Sequence, residues 1–383
     1  MGYRTKYFRK AGRVGACTHA KAAVLLRACK HAPYRSAFTV RSAAKLRLSF
    51  WLLALFPILI GCWGNSGPTV IVYTALDSEF SQPIFDDFEA ATGITPLAKF
   101  DTEATKTVGL AQAILQERDR PRCDVFWNNE ILNTLRLEKA GLLDVYHPPA
   151  AQGFPEMYRS PDGTWHGFAA RARVLIVNTE DVPEAGRPTS IRDLADPKWR
   201  GKAGIAKPLF GTTATHAACL FAHWGEDEAK EFFRQVKAND TQILSGNKGV
   251  AISVAAGRLA FGITDTDDAI IELEKGYPVA IVYPDQGEDG LGTLFIPNTL
   301  AIIKGGPNPQ AARRLVDYLL SPAVEAKLAA GPSAQIPLNP DVKADVRVET
   351  PHTVKPMEVD FQAAADCWDQ ARTFIRNEFA TGE

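Results

Sequence analysis

The sequence predicts an α/β protein whose parallel sheet is covered by helices on both faces. Short β-branched apolar runs alternate with amphipathic helical segments along most of the chain. Several helical segments follow a strand directly and open at Asp, Ser, Thr or Gly, the residues that start helices. A length of 383 residues with 46% hydrophobic content is enough for two domains with real cores.

Each element has its own justification. "TVIVYTA" (69–75) is a β-branched run suited to a buried parallel strand. In "DSEFSQPIFDDFEAATG", Asp77 and Ser78 can cap a helix, Phe80, Ile84, Phe85 and Phe88 give it one apolar face, and Thr92-Gly93 ends it. "ITPLAKF" reads as a strand. "TVGLAQAILQER" reads as a helix with Val108, Ala111, Ile114 and Leu115 inward. "CDVFWNN" is a strand and "ILNTLRLEKAG" a helix. After a break, "GFAARARVLIVNT" (167–179) contains a long strand, and "SIRDLADPKWRGKAGIA" a short helix, a turn and a strand. Helices follow in "GTTATHAACLFAHWG", "DEAKEFFRQVKAN" and "KGVAISVAAGRL", then a strand in "AFGIT". "LGTLFIPNTLAIIKG" returns to strand character. "NPQAARRLVDYLLSPAVEAKLAAG" is a helical pair broken at Ser321-Pro322, and "VDFQAAADCWDQARTFIRNEF" is a last helix.

Charge is unevenly spread. The chain has 43 Lys and Arg against 44 Asp and Glu, but residues 1–61 hold twelve of the basic residues and none of the acidic ones. Residues 62–383 therefore carry a net charge of −13. They show no basic stripe, which argues against a nucleic-acid partner. The basic head ends in Lys45 and Arg47 followed by 14 mostly apolar residues, 48–61. A membrane span needs about 20, whereas an export signal is served by a shorter run. The run closes on Leu59-Ile60-Gly61-Cys62, similar to the bacterial lipoprotein cleavage box, so Cys62 is the expected lipidation site. Residues 62–68 form a tether. The stretch before residue 40 is long for a signal, and a start at Val40 is expected. Cys123, Cys219 and Cys367 fit no zinc spacing and read as buried thiols, with one bridge possible outside the cytoplasm.

Taken in order, "VIVYTALDSEFSQPIFDDFEAATGI", "CDVFWNNE", "GLL" (141–143), "ARARVLIVNT", "LADPKWRGKAGIA", "IPNTLAIIKGGPNPQAARRLVDYLLSP" and "PL" (337–338) resemble the substrate-binding proteins of bacterial ABC importers, and among them the ferric-ion-binding group. The resemblance covers residues 68–340. It implies the type 2 periplasmic-binding-protein fold: two α/β lobes, a ligand cleft between them and two crossing strands. Lobe one would be 69–170 plus 295–340, and lobe two 171–294 plus 341–383. The crossings would lie near Arg171–Val177 and Leu294–Ile302. It also implies a lipid-anchored monomer in the periplasm or cell envelope that delivers a small solute to an inner-membrane permease by lobe closure.

The candidate site gathers at strand ends, where open α/β sheets bind ligands. Asp77, Glu130 and the run Asp265, Asp267, Asp268 all follow strands, and Gly211-Thr212-Thr213 opens a helix and can present N–H groups to an anion. The ferric relatives hold iron with two adjacent tyrosines, helped in many by a histidine and a glutamate. The resemblance places Glu130 at the glutamate, Asp77 at the histidine, and Asp267 and Asp268 at the tyrosine pair. No Tyr-Tyr dipeptide occurs in the chain. The metal ligands expected are therefore Asp77, Glu130, Asp267 and Asp268, and crowded carboxylates call for a hard cation such as Fe³⁺, Ca²⁺ or Mn²⁺ as the transported ligand. "DTDDAIIE" is not an EF-hand, since Ile270 stands where that loop needs Gly. The acids also suit the first turn of a helix, with Asp265 or Thr266 as its cap. The alternative guest is an organic phosphate, a phosphonate or a polyamine. Arg171 and Arg173, on one face of the crossing strand, would with Gly211–Thr213 and Asn247 form an anion pocket. An ion pair between these arginines and the aspartates is the structural alternative. Trp127 and Trp165 can stack on a guest or pack the cleft wall, and His216 has a surface or packing role. No catalytic constellation appears, so the chain reads as a binder rather than an enzyme.

Overall fold

A computed structural model describes residues 67–101 and 108–379. The basic head, the export signal, Cys62 and most of the tether lie outside the described residues. The first sheet starts with β1 (Thr69–Thr74), flanked on both sides by parallel strands, β2 (Thr95–Phe100) and β3 (Val125–Asn128). Between them run helices α1 (Ser78–Thr92) and α2 (Val108–Gln116). α1 buries Ile84, Phe85 and Phe88 and stops at Gly93, whose φ of 68° only glycine adopts freely. α3 (Leu132–Lys139) follows β3.

β4 (His166–Asn178) is buried along its whole length, because it serves two sheets. Its first half pairs with β9 (Phe295–Ile302), which itself pairs with β3. Its second half pairs with β7 (Phe261–Asp265) and β8 (Val279–Val282). The second sheet is completed by β5 (Ala203–Ala206) between β7 and β6 (Gln242–Leu244). Around it pack α4 (Gly211–Trp224), α5 (Glu226–Ala238), α6 (Asn247–Ala255) and α7 (Thr266–Glu274). α8 (Pro309–Leu319) and α9 (Pro322–Ala330) cover the first sheet, breaking at Ser321-Pro322 as the sequence indicates. α10 (Phe361–Phe379) lies against α3, α4 and α5.

The expectation of a parallel sheet needs correction. The sets β2-β1-β3 and β6-β5-β7 are parallel, but every pairing of β4 and β9 is antiparallel. Strand–helix alternation reports that crossovers exist. It is silent on a strand, such as β4, that runs from one sheet into another. Strands β6 and β8 were not anticipated, since neither is an apolar run buried throughout.

Glycines set how closely α6 approaches the second sheet. A Cβ on Gly262 of β7 would lie 2.4 Å from Val250 Cγ1 and 2.8 Å from the Gly204 carbonyl oxygen. With no side chain there, Val250 of α6 seats directly on the strand. The start of α6 is thereby held beside the ends of β5 and β7.

Candidate functional site

A small cavity lies where β4, β5 and β7 meet the starts of four helices. Its walls include Asp77 at the N-cap of α1, Gly211 and Thr212 of α4, Ser245-Gly246-Asn247 at the start of α6, and Asp267 and Asp268 in the first turn of α7. Asn129, Arg171, Lys207, Phe210 and Asp265 complete them, with Ala206. The space open between these side chains is about 30 Å³. In this arrangement that is room for an ion with water.

Beneath the cavity lies a buried polar clamp. Arg173 is wholly buried and donates from Nη1 to Asp265 Oδ1 at 2.6 Å, to Asn247 Oδ1 at 3.0 Å and to Thr212 Oγ1 at 3.2 Å. Its Nη2 donates to Thr213 Oγ1 at 3.1 Å. The other Asp265 oxygen accepts from Thr212 Oγ1 at 2.5 Å and Asn247 Nδ2 at 2.9 Å. Asp265 stands at the N-cap of α7 but makes no side-chain capping bond, because its carboxylate is turned to this network. Thr266 caps nothing with its hydroxyl either; Oγ1 accepts from the Ala172 N–H at 3.1 Å, tying α7 to β4.

Arg171 lies nearer the cavity. Nη1 is 3.4 Å from Asp267 Oδ2, and Nη2 donates to Asn298 Oδ1 at 3.1 Å. Burial alone would lower its pKa. Asp267, then Asp265, Asp268 and Asp77, outweigh that and hold it above the ordinary arginine value. Asp267 Oδ1 also accepts the Asp268 N–H at 3.1 Å. One carboxylate oxygen from each of Asp265, Asp267 and Asp268 falls within 4.8 Å of the others. Acids are tolerated here partly because helix starts carry partial positive charge.

The structure thus brings together Asp77, Arg171, Gly211, Thr212, Asn247, Asp265, Asp267 and Asp268. Arg173 and Thr213 sit behind the wall, in the clamp. Glu130 is elsewhere and is a correction to the metal set. Its carboxylate is fully buried and accepts from the Leu132 N–H (2.6 Å), the Asn133 N–H (3.0 Å), Asn128 Nδ2 (2.8 Å) and Thr215 Oγ1 (2.8 Å). It caps the start of α3 instead of facing the cavity. Neither Trp127 nor Trp165 is among the residues that line the cavity. Trp127 packs edge-on to Phe85 and against Phe168, and Trp165 is buried with Nε1 3.3 Å from Glu138. His216 is buried beside Arg173, and burial with that neighbouring charge pushes its pKa down to about 3. Cys123, Cys219 and Cys367 are free thiols. The sequence reading missed Asn129, Lys207, Phe210, Ser245 and Gly246. Ser245 and Gly246 were legible as a helix start directly before Asn247; Lys207 carried no signal.

Two lobes, each with its own sheet, and a polar cavity at their junction define a two-lobed binding protein of the type 2 periplasmic class. The family model for bacterial extracellular solute-binding proteins matches residues 133–364, and the chain belongs to that family. Iron uptake protein A1 of Synechocystis sp. is 28% identical over 67% of this chain and 72% of its own. Iron-bound HitA from Pseudomonas aeruginosa superimposes with a TM-score of 0.74 at 24% identity, over 82% of this chain and all of that one. AfuA from Actinobacillus pleuropneumoniae, with fructose-6-phosphate bound, gives 0.73 at 22% identity over 83% of this chain and all of that one. The relatives bind and transport solutes, and the chain is a binding protein rather than an enzyme. Among the described residues no helix is long and apolar enough to cross a membrane.

Proposed function

We propose that the protein is the lipid-anchored, extracytoplasmic binding component of an ABC importer, and that its cleft takes a hard cation, ferric iron first, together with a small oxyanion. The observation that carries this reading is the pair Asp267 and Asp268, with carboxylate oxygens within 4.8 Å of each other, on the wall of a small polar cavity that Asp77 also lines. The charge count explains the need for a companion. Asp77, Asp265, Asp267 and Asp268 face Arg171, Arg173 and Lys207, and four helix starts add partial positive charge. The site is close to neutral before any guest enters, so a bare trivalent ion would leave it strongly positive. An oxyanion at Gly211, Thr212, Ser245 and Lys207 would offset that. Asp77, Asp267 and Asp268 are the ligands offered; Asp265 is committed to Arg173.

The same balance favours a second reading. Among the described residues no tyrosine lines the cavity, and Asp267 already faces Arg171. A small zwitterion such as an aminoalkyl phosphonate would set its ammonium among the acids and its anionic end at the α4 and α6 starts.

Calorimetric titration of the purified protein separates the two. Ferric citrate with phosphate or bicarbonate should give saturable heat, abolished in Asp267→Asn/Asp268→Asn. Saturation by 2-aminoethylphosphonate alone would transfer the assignment to the second reading. Silence toward both guests, with Mn²⁺ and Ca²⁺ also inert, would refute the proposed function.

A further inference from the structure

Glu130 and Thr215 join the two halves of the molecule at a point away from the cavity. Glu130 precedes α3 and belongs to the half built on β1, β2 and β3; Thr215 lies one turn into α4, in the half built on β5, β6 and β7. The Thr215 hydroxyl donates to Glu130 Oε2 at 2.8 Å, and both residues are wholly buried. The remaining donors to this carboxylate, Leu132 N–H, Asn133 N–H and Asn128 Nδ2, all come from the Glu130 side. Among the described residues Thr215 is thus the donor to this carboxylate supplied across the junction, and it sits on the helix whose first residues, Gly211 and Thr212, form part of the cavity wall. At the mouth a second contact crosses the same junction: Lys248 Nζ of α6 meets Glu79 Oε1 of α1 at 3.1 Å, with both side chains half exposed.

Resting on the two-lobed binding role, we propose that Glu130 and Thr215 are positioning residues for solute capture: an internal latch that favours the closed arrangement independently of the guest. A buried carboxylate accepting a hydroxyl is a charge-assisted bond in a water-poor setting, stronger than an exposed ion pair. Opening exchanges that donor for water. The latch therefore sets the fraction of guest-free protein that is already closed, and observed affinity scales with that fraction. The exposed Lys248–Glu79 pair contributes less and is weakened by salt.

The test is small-angle X-ray scattering of the guest-free protein, in parallel with titration of ferric citrate plus phosphate and of 2-aminoethylphosphonate. Thr215→Val should lower the closed-to-open ratio by about tenfold, the equivalent of one such bond, and so enlarge the radius of gyration. The dissociation constant should weaken by up to the same factor, whichever guest titrates. Thr215→Ser, which keeps the hydroxyl, should restore both readings. Lys248→Ala should change the ratio by at most about fivefold, and less in high salt. If Thr215→Val does not fold, Thr215→Ala serves in its place. The proposal is overturned if the valine variant scatters like the wild type, or if it loses thermal stability while dimension and affinity stay unchanged. Should no guest titrate, the proposed function fails while the scattering comparison still decides the latch.

Discussion

Replacing Arg173 with methionine keeps much of the side chain's length and apolar stem but removes the charge under the cavity. Asp265, 2% exposed, then loses its 2.6 Å partner and keeps only the Thr212 and Asn247 donors. Removing one member of a buried ion pair costs about 3–5 kcal/mol, because the other charge stays buried without compensation. For a body of about 300 residues each kcal/mol moves the melting temperature by roughly 1.5 °C, so Arg173→Met should melt roughly 5–8 °C below the wild type. The companion variant, Arg173→Met with Asp265→Leu, removes both charges and should recover a good part of the loss. Thermal and urea denaturation of the four-member cycle, guest-free, would measure this. A single variant within about 1 kcal/mol of wild type, or a double variant that falls by the sum of the two singles, would refute the claim that the clamp compensates a buried charge.

Gly262→Ala should destabilise by about 1–3 kcal/mol through the clash with Val250 and the Gly204 carbonyl, seen as a lower urea midpoint. Stability should also fall in mild acid. Burial lowers the His166 pKa to about 4, so below the ordinary value of 6.5 the unfolded chain takes up a proton that the folded chain refuses. That stability is fully present above about pH 6.5 and is lost as pH falls toward 4, an effect of at most about 3 kcal/mol. His166→Gln should flatten the urea-midpoint profile over this window; a profile as steep as wild type would contradict the assignment. Asp268→Ala and Asp267→Ala should each reduce guest affinity at least about tenfold by calorimetry; Asp268→Ala should leave the melting temperature within about 3 °C, whereas Asp267→Ala should lower it further, because buried Arg171 loses its carboxylate partner. Unchanged affinity in both would remove the α7 acids from the site.

Local chemistry wrote most of the elements into the sequence. The β-branched run at 69–74 became β1, the Gly93 stop ended α1, and Ser321-Pro322 split α8 from α9. Strand direction was not legible, because β4 takes its orientation from its passage between the sheets and not from its composition, while β9, expected as the second crossing, pairs only with β3 and β4 in the first sheet. Asp267 and Asp268 did land in the first turn of a helix, as their type favours, with Asp265 at its N-cap position. What the sequence could not show is which partner each would find. Arg173 at 2.6 Å claims Asp265, while Arg171 at 3.4 Å only leans on Asp267. Glu130 shows the limit of carrying a role by position: a residue matched to a ligand in one set of relatives is here occupied by backbone amides and Thr215.

Strand β4 is common property of both sheets, buried from His166 to Asn178. One sheet bonds to His166–Ala172 and the other to Arg173–Asn178, two halves of one continuous buried strand. Heat or denaturant should therefore dismantle the two halves in one step, and whatever settles at their seam steadies the entire body.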